Sequence, residues 1–336
     1  MINIILKKIY KHIPTKYQNS NLFINLKIFY WKYFQNFKRF KELKKNKFQL
    51  TKDQFEVYGK INKKIKKNGI LIEKPEVIFN SVEINILRNI LDLGNEKIKK
   101  FENEKNSESY EKFFNTLKER QMFKPFRYDL GGYLNFKDKR LDTNDFDELH
   151  YQILKIGLKE EFLYIASLYL GIYPFLGRFY AWYDFPTNEN TVSSQCWHKD
   201  GDDRKFLKIF IYLNEVKNDN GPFCFIQNTH SQNKKNFLSE SGKKTTKYSK
   251  FNILTDIDVK KKFSSEKIKE CFGDFGTTIF ADTSGYHKGK SLENRNRIML
   301  VFEYFSQTSM YSYDIKINEK MNQIFSKKQL LAIKKI

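Results

Sequence analysis

Residues 196–216 read CWHKDGDDRKFLKIFIYLNEV, a charged turn followed by a run of aromatic and β-branched residues. The second half, from Lys205, has the composition of a buried strand bounded by turn-forming residues. If the chain is already extended at Trp197, side chains two apart project to one side, so His198 and Asp200 point together and Lys199 points away. An imidazole and a carboxylate side by side are two ligands of a metal, or else part of a solvated loop. On the same alternation Gln195 and Trp197 are expected to point away from His198 and Asp200 and to serve as packing. Asp202 and Asp203 are expected on the loop at the mouth.

Working outward, the same texture recurs downstream. GRFYAWYDF (177–185), GPFCFIQNT (221–229), GTTIFADTS (276–284) and RIMLVFEYFS (297–306) are short, aromatic or β-branched, and punctuated by Gly, Pro, Asn and Asp. Upstream, 81–105 and 147–170 show helical spacing, the latter repeating Leu149, Ile153, Ile156, Phe162, Ile165 and Tyr169 before Gly171 and Pro174. Helices followed by many short strands predict an α+β chain, with a double-stranded β-helix (jelly-roll, cupin-like) core over 177–306 and helices outside it. The predicted division is a basic helical segment over 1–70, a main domain over 71–314 and a final basic helix over 315–336.

Composition limits the alternatives. Hydrophobic residues make up 40% of the 336-residue chain, and 32 Phe with 20 Tyr must form much of the core. Cys196, Cys224 and Cys271 show neither pairing nor zinc spacing, which fits a reducing compartment. No apolar run is long enough to span a bilayer, and the opening residues are too short an apolar run for a signal peptide, so the expectation is a cytoplasmic protein. Of the net charge of +22, residues 1–70 carry +15. Within them, 21–45 place Leu22, Leu26, Phe29, Tyr33, Phe37 and Phe40 at helical spacing among lysines. That stripe suits either packing on the chain's own domain or peripheral contact with an anionic membrane. Nucleic acid is not expected, since no motif for it is present.

A facial metal site needs a third ligand, and His230 and His287 are the histidines downstream of Asp200. His230 lies in a hydrophilic turn and is expected to satisfy nearby backbone. His287 lies between two strand-like runs, far enough along for a jelly roll to return to the same mouth, and is favoured. Two histidines and one carboxylate with open positions are the ligand set of non-haem Fe(II) oxygenases. Arg297, 10 residues further on, begins a strand on the face of Met299 and Val301. A buried guanidinium needs an anion, and its fork suits a carboxylate such as that of 2-oxoglutarate. The competing expectation pairs Arg297 with Glu303 or Asp282. Arg295 is expected at the surface.

From about Phe162 to Tyr304 these segments resemble the phytanoyl-CoA dioxygenase-like family of Fe(II)/2-oxoglutarate oxygenases. SQCWHKDGDDRKFLKIFIYLNEV, NGPFCFIQNTHS and ADTSGYHKGK with RIMLVFEY follow the family's order and spacing. The resemblance implies that His198, Asp200 and His287 bind iron, that Arg297 binds 2-oxoglutarate, and that Tyr212 lies beside this co-substrate. Some members have a serine two residues after the distal histidine; here Gly289 stands instead. The implied activity is hydroxylation of an unactivated C–H, with O₂ consumed and succinate and CO₂ released, on a small-molecule, acyl or lipid-like substrate. Asp200 argues against halogenation, because halogenating relatives have a small residue there. The rival expectation is a non-catalytic jelly-roll binding protein whose metal site is vestigial.

Overall fold

A computed structural model describes residues 48–104, 127–133, 141–187, 193–200, 205–230, 253–305 and 315–333. The aromatic stretch 21–45 and the acids Asp202 and Asp203 lie outside the described residues.

Eleven strands occur among the described residues: β1 (Ile70–Glu73), β2 (Arg127–Tyr133), β3 (Leu141–Asp142), β4 (Phe175–Asp184), β5 (Leu207–Tyr212), β6 (Phe223–Ile226), β7 (Ile268–Cys271), β8 (Thr278–Ala281), β9 (His287–Gly289), β10 (Arg297–Phe305) and β11 (Ile315–Lys316). Six form an antiparallel sheet in the order β1-β8-β5-β10-β4-β2, and three form a second in the order β7-β6-β9. Neighbours far apart in sequence pair throughout, as in a rolled sandwich. β3 and β11 make a small parallel pair apart from both.

Alternation along the central strands sorts the six-stranded sheet into two faces. Tyr180, Trp182, Phe210, Tyr212, Met299 and Val301 point toward the second sheet and form one core with Phe223, Phe225 and Cys271. Phe179, Ala181, Ile209, Ile211, Leu300 and Phe302 point the other way and join a larger core with the helices. The helix Glu148–Gly157 brings its backbone against the sheet at Gly157, where a Cβ would lie 2.5 Å from a ring carbon of Phe302. Only glycine permits that approach.

The stretch 147–170 was expected as one helix. It is two, Glu148–Gly157 and Glu160–Leu170, broken at Leu158 and Lys159. The break turns both apolar faces to the sheet. Lys159 is buried in it, with its ammonium 2.7 Å from the Ile78 carbonyl and 2.7 Å from Glu83.

One further expectation changes. The tail is a strand and two short helices, Glu319–Ile324 and Lys327–Leu331, because Ser326 starts a new capping box with Gln329. Gly69, at the end of the segment set apart as 1–70, is the left-handed cap (φ 80°) of the helix Lys52–Asn68. That helix buries Tyr58, Ile61 and Ile65 in the same core as the sheet, and the chain continues directly into edge strand β1.

Candidate metal and carboxylate site

The backbone brings His198 and His287 together. They face each other as a hydrogen-bonded antiparallel pair, His198 N–H donating to His287 O (3.0 Å) and His287 N–H to His198 O (2.9 Å). Asp200 is tied by its own N–H to the Thr283 carbonyl at 2.8 Å. The loop carrying Thr283 is ordered in turn by buried Asp282, which accepts from Ser284 N–H and Oγ–H and from the Tyr169 hydroxyl of helix Glu160–Leu170. A helix outside the sheet thus reaches through to fix the residue opposite Asp200.

The side chains converge. His198, Asp200 and His287 each offer a ligand atom, all within 4.8 Å of one another. His198 Nε2 lies 3.7 Å from Asp200 Oδ1, and His287 Nε2 lies 3.4 Å from Asp200 Oδ2. Each Nδ1 sits at hydrogen-bond distance from a backbone carbonyl, Cys196 O for His198 (2.8 Å) and Gly285 O for His287 (3.0 Å). A carbonyl can only accept, so it draws the proton to Nδ1 and leaves Nε2 with its lone pair facing inward. His287 is buried, whereas the side chains of His198 and Asp200 stay 22% and 18% exposed, so the cluster opens on one side.

The electrostatics favour the ligand form of His287 and of Asp200. Burial pushes His287 down to about 3, helped by the neighbouring His198, and keeps it neutral. Burial opposes ionisation of Asp200, but the Lys208 ammonium above all outweighs it and holds the carboxyl well below the usual range. Lys208 Nζ is 2.9 Å from Asp200 Oδ2 and 2.8 Å from Glu303 Oε1. Glu303 completes a buried row across β5, β10 and β4, accepting from Arg178 Nη1 at 2.8 Å and from the Tyr180 hydroxyl at 2.5 Å.

Arg297 lies at the other end of β10, and its partner is neither Glu303 nor Asp282. It stands opposite Asp184 in the β10–β4 register and donates from Nη2 to Asp184 Oδ2 at 2.6 Å. Asp184 also accepts both hydrogen bonds of the Arg127 fork from β2, at 2.5 and 2.9 Å. Its burial is outweighed by the two guanidiniums, which hold it ionised. Because Asp184 is shared, Arg297 is only partly satisfied. Its Nε and Nη1 are buried and have no hydrogen-bond partner among the described residues. Gly289, two residues along β9 from His287, runs beside this guanidinium; a Cβ there would lie 3.3 Å from Nη2. Glycine at 289 therefore lets the guanidinium lie close against β9.

Tyr212, expected beside the co-substrate, has its hydroxyl held by the protein itself. It is fully buried, donates its hydroxyl proton to the Cys271 carbonyl at 2.8 Å and accepts from Phe223 N–H at 3.1 Å. It ties β5 to the second sheet and has no proton left for a co-substrate carboxylate. Burial raises its hydroxyl pKa further. His230 bonds the Lys66 carbonyl at 3.2 Å, a turn role away from the cluster. Arg295 is exposed and paired with Asp219. Trp197 packs with Cys224, Ile226 and Leu254, facing away from the ligands.

Sequence reading missed Asp184, Lys208, Arg178 and Glu303 as a set. The signal was present: each is a charged residue inside an aromatic strand, at the parity of Tyr180, Trp182, Phe210 and Val301. Charges at buried strand positions must be paired across the ladder.

No family model and no curated protein matches this sequence. Among solved structures, it is similar to HygX from Streptomyces hygroscopicus with nickel and 2-oxoglutarate bound, at 11% identity and a TM-score of 0.41 over 81% of this chain and 94% of that one. It is also similar to EctD from S. alaskensis with bound Fe, at 14% identity and a TM-score of 0.41 over 81% of this chain and 80% of that one. A third is SnoN, a non-heme α-ketoglutarate-dependent epimerase from nogalamycin biosynthesis, at 9% identity and a TM-score of 0.43 over 75% and 84%. At such scores and identities these likenesses carry no chemistry over to this chain, whose own residues must supply it.

Proposed function

We propose that this chain is an Fe(II)- and 2-oxoglutarate-dependent dioxygenase with a double-stranded β-helix core, resembling the phytanoyl-CoA dioxygenase-like family, that hydroxylates an unactivated C–H of a small-molecule, acyl or lipid-like substrate. The observation that carries the reading is the convergence of His198, Asp200 and His287, each histidine with its Nδ1 committed to a carbonyl.

The residues fit both groups. Two imidazoles and one ionised carboxylate on a partly open face are the ligand set of a non-haem ferrous site. The unpartnered Nε and Nη1 of Arg297 suit one carboxylate of a dicarboxylic acid, which would restore the hydrogen bonds burial removed from water. Ferrous iron with 2-oxoglutarate and O₂ supplies the oxidising power for hydroxylation, leaving succinate and CO₂. The protein's part is positional. Asp184 and Arg127 aim Arg297, Gly289 lets its guanidinium lie close against β9, and the aromatic core packs behind them.

One observation favours the rival reading of a non-catalytic jelly roll with a vestigial site: Asp200 and Arg297 each already have a protein counter-ion. A closed ion-pair network, however, has no use for two inward-facing imidazole lone pairs or for a guanidinium whose Nε and Nη1 meet no partner among the described residues. Anaerobic titration with Fe(II) and 2-oxoglutarate decides between them. A weak visible charge-transfer band, lost in Asp200→Ala and needing more 2-oxoglutarate in Arg297→Gln, is expected. No band from folded wild type leaves the binding-protein reading standing.

For the basic segment 1–70 we keep peripheral contact of a cytoplasmic protein with an anionic membrane, on its charge of +15. Among the described residues no helix is long and apolar enough to cross a bilayer. Flotation with anionic liposomes is expected to weaken on deletion of residues 1–47, and equal flotation of both forms removes the idea.

A further inference from the structure

Lys208 is a buried lysine in direct contact with the candidate metal cluster, and nothing in the reaction proposed above assigns it a task. It extends from β5 on the side of the sheet that faces the second sheet, 8% exposed. Its ammonium is 2.9 Å from Asp200 Oδ2 and does not reach out to solvent as an ordinary lysine would. The ammonium is itself fixed. Glu303 Oε1 lies 2.8 Å from it, and Glu303 is locked from the far side by Arg178 and Tyr180. Lys208, Glu303 and Arg178 stand opposite one another on three adjacent strands, so the ladder sets their order.

Resting on the metal-site reading, we propose that Lys208 is a positioning residue that holds Asp200 to one-oxygen coordination. The ammonium pairs with Oδ2 as an ion pair at 2.9 Å, without a hydrogen bond of ordinary angle to it, and leaves Oδ1 as the oxygen free to meet a cation. A carboxylate without that restraint has two oxygens to offer and takes a second position on the ion. Holding it to one keeps an additional coordination position for substrate-side ligands. The same positive charge opposes a divalent ion placed beside it and lowers the site's affinity. Lys208 thus gives up metal affinity in exchange for an open coordination position.

This arrangement makes a signed prediction that a merely structural lysine does not. Full-length wild type, Lys208→Met and Lys208→Arg would be titrated with Mn(II) alone, following free ion by electron paramagnetic resonance and bound water by proton relaxation. Wild type is expected to bind one Mn(II). Lys208→Met is expected to bind roughly tenfold more tightly, since a like charge has gone. Its relaxation enhancement per bound ion should fall by about a third, as one of three open positions on an octahedral ion closes. Lys208→Arg keeps the charge and is expected to stay near wild type in both. If Lys208→Met does not fold, the pair Lys208→Met with Glu303→Gln removes both charges and carries the same readouts. Unchanged or weaker affinity in the folded variant, or unchanged relaxation, overturns the role of Lys208 while the metal site stands. Folded wild type that binds no Mn(II) instead removes the metal reading itself.

Discussion

The six-stranded sheet buries both of its faces, with opposite chemistry. The helix-facing side of its central strands presents Phe179, Ala181, Ile209, Ile211, Leu300 and Phe302, with no charged group among them. The side facing the second sheet alternates Tyr180, Trp182, Phe210 and Val301 with Arg178, Asp184, Lys208, Arg297 and Glu303. Hydrophobic burial is non-directional and tolerates exchange of similar volumes, so the first face can specify a fold without specifying a chemistry. Buried charges behave otherwise: each depends on a named partner at a fixed distance. The charged side therefore does what the apolar side cannot, aiming one carboxylate and one guanidinium toward the space between the sheets.

Substitutions on the two sides should fail differently. The largest effect belongs to the apolar side. Phe162 is fully buried, edge-on to Phe79 and Phe280 and tilted against Phe302. Phe162→Ala is expected to cost about 3–5 kcal/mol in urea denaturation while leaving Mn(II) affinity per folded molecule intact. A loss of metal affinity at full folding would show that the two faces are not separable.

Asp200→Ala tests the reverse. Metal affinity should fall at least about a hundredfold, since even groups that only support ligands are worth 10–100-fold. Stability should stay within about 1 kcal/mol, because Lys208 retains Glu303. Equal metal binding by the alanine variant would break the assignment.

A smaller change is expected from Arg297→Gln. The 2-oxoglutarate needed for half-saturation should rise about ten- to hundredfold, the worth of a charge-assisted hydrogen bond, with metal binding alone unaltered. Were metal binding to fall as well, the two ends of β10 would be one site rather than two.

The smallest lies outside the sheet, at Asp147, which caps the helix Glu148–Gly157 and pairs with Lys97 at 2.8 Å. Burial opposes its ionisation, yet Lys97 and His150 outweigh it and bring the carboxyl down to about 2. A folded-state value below the ordinary 3.8 stabilises above that value and is lost as pH falls through about 2. The side chain is 46% exposed, so solvent screening leaves less than about 1 kcal/mol. The gap between wild type and Asp147→Asn should close between pH 4 and pH 2; a gap that persists at pH 2 would assign the effect to the cap alone.

Much of this was legible in residue order. The segments 177–185, 221–229, 276–284 and 297–306 each contain a strand, because period-two alternation of large apolar groups reflects a sheet with two buried faces. His198, Asp200 and His287 were singled out by residue type and by where strands begin and end. Where local pattern gave no signal, the reading went astray. The turn at Leu158 and Lys159 interrupts a stretch whose apolar spacing runs on, and Ser326 divides the tail into two helices.

The sequence by itself determined the strand-rich core, the candidate set of two histidines and one carboxylate and the buried arginine, since these follow from residue type and from periodicity along one chain. Only the tertiary structure decided that Arg297 meets Asp184, that Lys208 meets both Asp200 and Glu303, and that the Tyr212 hydroxyl is committed to Cys271. Each of those pairings joins residues on strands separated by tens of positions, and cross-strand register, which no single segment carries, selects the partner.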